Sequence, residues 1–81
     1  VLLRKVNIEE PDNILAWHLK GITHNRLGEY ILADLSAAEE FIRRRDRVSA
    51  TFFSKKVIKN SSKNSPESLR AQDILKIVNT D

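Results

Sequence analysis

Cysteine and methionine are both missing from this 81-residue chain. No cysteine means no disulfide and no thiolate metal site. It also fits a reducing compartment. Val1-Leu2-Leu3 is too short for the apolar core of a signal peptide, so the expected location is the cytoplasm. Glycine is scarce, at two residues, which excludes a glycine-rich phosphate loop. No apolar run exceeds four residues (Tyr30–Ala33), far short of a membrane span. The first residue is valine and no methionine follows, which suggests a fragment or processed piece of a longer chain.

Catalytic chemistry also lacks its parts. No nucleophile comes with a base and an orienting group, and no carboxylate pair is set into an apolar stretch where one could be tuned. His18 and His24 are six apart and do not share a helix face, so they make no metal pair. The expectation is a non-enzyme without cofactor or metal.

What is present is charge, unevenly spread. Residues 1–41 carry four basic and seven acidic side chains; residues 42–63 carry eight basic and one acidic. The run Arg43, Arg44, Arg45 and Arg47, continued by Lys55, Lys56, Lys59 and Lys63, marks either an anion-binding surface or a solvated helix face. Glu39–Arg43 and Glu40–Arg44 are i,i+4 pairs in the favourable order and partly neutralise it.

Apolar spacing is helical throughout, and no segment alternates long enough for a strand. Leu2, Leu3 and Val6 make a stripe in residues 1–10, which Glu10-Pro11 closes. Asp12 or Asn13 then caps a helix over 14–26. It carries two stripes, Ile14-Trp17-Gly21 and Leu15-Leu19-Ile22, so neighbours are expected on both sides. Gly28 reverses the chain. A third helix runs from about Glu29 to Arg45, with Tyr30, Ala33, Ala37 and Phe41 on one face; it either continues or, as favoured, breaks near Asp46, which can cap the next. A fourth, 47–60, buries Ala50, Phe53, Val57 and Ile58. Asn60–Asn64 is a loop. Ser65-Pro66-Glu67 starts a fifth helix, 66–78, burying Leu69, Ala71, Ile74, Leu75 and Val78.

Trp17, Gly21, Gly28, Tyr30 and Ala33, with Pro11 before them, resemble the signature of the tetratricopeptide repeat family, whose period is about 34 residues. In that frame 1–81 is one domain: 1–13 ends a preceding repeat, 14–47 is a repeat, and 48–81 is a degenerate one. Lys20, His24, Ala37, Glu40 and Arg45 depart from the pattern. The resemblance implies an all-α fold of about five helices, antiparallel hairpins stacked as a short right-handed solenoid. Trp17 would pack in the core beside Gly21.

The resemblance further implies a concave groove lined by the first helix of each unit. Its positions here are Leu15, His18, Ile22, Asn25 and Arg26, then Ser49, Phe52, Lys56, Lys59 and Asn60. Such a partly basic groove suits a peptide or partner helix carrying acidic side chains or a free C-terminal carboxylate. His18 and Ile22 stand where some members hold that carboxylate with lysine and asparagine. The expected function is a protein–protein interaction scaffold. The alternative is a basic module binding nucleic acid or another anionic surface through Arg43–Arg47. With so few units, self-association or a longer parent chain is also expected.

Overall fold

The computed structural model describes residues 13–80, and these form four helices with no strand among them. They are α1 (Ile14–Arg26), α2 (Tyr30–Arg43), α3 (Arg47–Asn60) and α4 (Pro66–Asn79). The helix expected over residues 1–10 lies outside the described residues.

Short-range chemistry sets the starts. Asn13 Oδ1 accepts the Ala16 N–H at 2.8 Å, Asp46 Oδ1 the Ser49 N–H at 3.0 Å, and Ser65 Oγ the Ser68 N–H at 3.2 Å. Each satisfies a donor that the first helical turn leaves over. Pro66 follows Ser65 at the first helical position, where its missing N–H costs nothing. Only α2 starts without a side-chain cap, at Glu29.

The first two helices end in the same turn. Gly28 sits at φ 77°; its N–H donates to Asn25 O at 3.1 Å, and the Glu29 N–H to His24 O at 2.9 Å. Arg45 sits at φ 62°; its N–H donates to Ile42 O at 3.2 Å, and the Asp46 N–H to Phe41 O at 3.0 Å. Both are Schellman closures around a left-handed residue. Glycine takes that conformation freely, whereas arginine carries a strain of about 1 kcal/mol. α2 therefore stops at Arg43, short of the expected end near Arg45, because Arg45 turns left-handed and Asp46 is already capping α3.

α2 is the hub. α1, α3 and α4 all pack on it, and α3 also packs on α4. Among the described residues, α1 comes close to neither α3 nor α4. The core lies between α2, α3 and α4: Ala38, Ala50, Ile74 and Val78 are buried, with Leu35, Phe41, Ile42 and Phe53 packed against them. The Phe41 and Phe53 rings stack with centroids 5.6 Å apart. Ser36, Ser54 and Ser68 are buried as well, and such small side chains bring the helix axes together.

Several packing expectations change. Gly21 does face α2, with a hypothetical Cβ 3.6 Å from Ser36 Cβ and 3.7 Å from Ala33 O. Trp17, however, is only half-buried and does not seal the core; it lies at the edge of α1 beneath two cations. Tyr30 is 65% exposed and Leu69 49% exposed, so neither packs inside. Tyr30 stands exposed in the first turn of α2 and Leu69 on the outer side of α4, and smaller residues fill the contacts instead.

Candidate functional site

The most closely knit polar cluster centres on Glu39 and Glu40, at the C-terminal half of α2. Consecutive helix residues point about 100° apart, so the two carboxylates serve different neighbours. Both are buried, at 4% and 6% exposure. Glu39 reaches α4: Arg70 Nε donates to its Oε2 at 2.7 Å, and Arg70 Nη2 to its Oε1 at 2.8 Å. Arg43, one turn on, donates through Nη1 to Glu39 Oε1 at 2.8 Å and to the Glu39 carbonyl at 2.9 Å. Burial by itself would raise the Glu39 carboxyl. The hydrogen bonds and charges of Arg70 and Arg43 together outweigh it and hold the carboxyl below its ordinary value. The same contact raises Arg70, chiefly through the hydrogen bond to Glu39.

Glu40 serves the other side. His18 Nδ1 on α1 lies 3.1 Å from its Oε1, and Arg44 Nε donates to its Oε2 at 2.8 Å. The two carboxylates thus tie α1, α2 and α4 together. Above Glu39, Arg43 Cζ lies 5.0 Å from the centre of the Trp17 ring, and Lys20 Nζ lies 4.5 Å from it. These are cation–π distances.

This arrangement divides the basic patch. Arg43 and Arg44 are engaged by Glu39 and Glu40, as the i,i+4 spacing predicts. Arg45 and Arg47 are exposed at the α2–α3 turn. The burial of the carboxylates, and the arrival of Arg70 from 31 residues away, were not visible in the sequence. The sequence carried no signal for the Arg70 contact, because Glu67 and Asp73 stand three residues to either side of Arg70 and offer partners at helical spacing.

The groove positions fall on two helices that flank α2. Leu15, His18, Ile22, Asn25 and Arg26 are exposed along α1. Phe52, Lys56, Lys59 and Asn60 are exposed along α3, and Ser49 is half-buried. The structure anchors one residue of each row onto α2: His18 on Glu40, and Lys56 on Asp34 at 3.6 Å. Tyr30, Asp34, Ala37 and Phe41 are spaced along a single α2 face. α1 and α3 each pack on α2 and do not pack on each other. Asn60 lies apart, in an open cleft of about 520 Å³ between the α3–α4 loop and the first turn of α2. Glu29 and Glu67 also line that cleft, so it does not suit an anion.

Among the described residues, no three histidine, aspartate or glutamate side chains gather to hold a metal. No helix there is long and apolar enough to cross a membrane. The chain matches no protein-family model, no curated protein and no solved structure.

Proposed function

We propose that this chain is a helical protein-interaction module that takes a peptide or partner helix into a channel between α1 and α3. The observation that carries the reading is the pair of exposed rows. Leu15 (58% exposed) and Ile22 (38%) stand on α1, and Phe52 (59%) stands beside Lys59 on α3. An apolar anchor flanked by cations suits a ligand that presents apolar and acidic side chains together, or an apolar segment ending in a carboxylate. The repeated left-handed turn at Gly28 and Arg45 supports the tetratricopeptide-like reading, in which such hairpins stack into a right-handed solenoid.

The test is selection from a displayed peptide library, followed by fluorescence anisotropy of the selected peptide against Phe52→Glu and Lys56→Glu. Both positions are exposed, so helicity by circular dichroism should stay unchanged. Affinity should fall at least about tenfold in each, the loss expected of an interface anchor. Equal affinity in both variants removes the channel assignment.

The alternative, nucleic-acid binding through Arg43–Arg47, has less support, because Arg43 and Arg44 already hold buried carboxylates. Steep salt dependence of retention on heparin, lost on Arg45→Ala with Arg47→Ala, would favour it.

A further inference from the structure

We propose that the outward face of α3 docks reversibly on an anionic lipid surface. This face borders the proposed channel wall, shares Phe52 and Lys59 with it, and adds Val48 and Lys55. Val48, Phe52, Lys55 and Lys59 are spaced four, three and four residues apart, so they form one stripe about 16 Å long on the side of α3 away from the core. Ala50, Ser54 and Val57 are buried on the opposite side. Lys56 turns off the stripe to meet Asp34 at 3.6 Å.

Three observations point to the same kind of ligand. The stripe is apolar where it is most exposed: Val48 is 82% exposed and Phe52 59%. The Phe52 and Phe53 rings meet edge to face, with centroids 5.1 Å apart. α3 contains no acidic residue at all, and among the described residues no carboxylate pairs with Lys55 or Lys59. Arg45 precedes the stripe and Lys63 follows it, so positive charge brackets the apolar pair.

A helix face with a phenylalanine and a valine between cations is the pattern that lies in a bilayer interface. Lysine point charges suit a diffuse layer of lipid headgroups, whereas protein interfaces are depleted of lysine. Nucleic-acid phosphates would leave Val48 without a counterpart.

The experiment is co-sedimentation of the full chain with vesicles of phosphatidylcholine alone and of phosphatidylcholine with phosphatidylserine, in low and high salt. Val48 and Lys55 are not among the channel positions, so their variants read this face alone. The chain should sediment with the anionic vesicles only, and release in high salt. Lys55→Ala should weaken the partition about fivefold, the contribution of one cation near such a surface. Val48→Ser should weaken it by a similar factor, about fivefold, through lost apolar burial. Lys76→Ala, an exposed lysine on α4, should change nothing. Failure to sediment with anionic vesicles overturns the proposal and returns the stripe to a protein partner. So does equal sedimentation with neutral vesicles. Binding that depends on Lys55 but not on Val48, and that heparin competes away, also overturns it and makes the face a polyanion site.

Discussion

Replacing Arg70 with methionine should cost this fold about 2–3 kcal/mol, intermediate between an exposed and a fully buried ion pair. Methionine keeps the apolar stem of the arginine and removes its guanidinium. Glu39 Oε1 would then keep Arg43 Nη1 at 2.8 Å, but Oε2 would lose the donor that lies 2.7 Å away. The Glu39 side chain is only 6% exposed, so water has little access to replace that bond. Breaking a fully buried pair by deleting one partner costs about 3–5 kcal/mol. The Arg70 side chain is 39% exposed and was partly solvated to begin with, which lowers the figure. A domain of 81 residues has about 4–12 kcal/mol in all, so the loss is a large fraction of it.

Thermal unfolding followed by circular dichroism should show a midpoint about 10–20 °C lower. The pH dependence gives a second arm. Glu39 titrates below its ordinary 4.5 in the fold, so its stabilisation is complete above that value and is lost as pH falls through the lower folded value. The Arg70→Met penalty should therefore be largest near neutrality and shrink in acid. In a double-mutant cycle with Glu39→Leu, the coupling should exceed about 1 kcal/mol at neutral pH. A coupling indistinguishable from zero there, or a penalty that does not change in acid, would refute the assignment of Glu39 as the tie between α2 and α4.

The turns give separable tests. Arg45→Gly should stabilise the chain by about 0.5–1 kcal/mol in urea unfolding, since φ 62° suits glycine. Gly28→Ala should cost about 1 kcal/mol, all of it backbone strain, because a Cβ there meets nothing within 4 Å. Gly21→Ala should be neutral or stabilise by up to about 1 kcal/mol, because a Cβ meets α2 at ordinary contact distance and alanine favours the helix. A loss above that size would mean α1 and α2 approach more closely than these distances. Asn13→Ala, which leaves the Ala16 N–H without its 2.8 Å partner, should lower stability by about 1 kcal/mol in the same assay.

The positions of α1, α3 and α4 and the reversal at Gly28 were legible in the residues themselves. So were the capping roles of Asp46 and Ser65, a cap at Asp12 or Asn13 that the structure gives to Asn13, and the Glu39–Arg43 and Glu40–Arg44 pairs. Each depends on groups within about four positions of one another, where helix geometry leaves few choices. Burial was not legible in the same way. Glu39 and Glu40 stood in the sequence only as i,i+4 partners of Arg43 and Arg44, yet they are enclosed because α1 and α4 both pack on α2. Trp17 read as core, yet it lies half-buried under Lys20 and Arg43 while alanines and serines make the close contacts. A helix with two weak stripes can pack on either, and local spacing does not choose between them. Only the association of α1, α3 and α4 around α2 selected the stripes that are covered, brought Arg70 to Glu39, and kept α1 apart from α3.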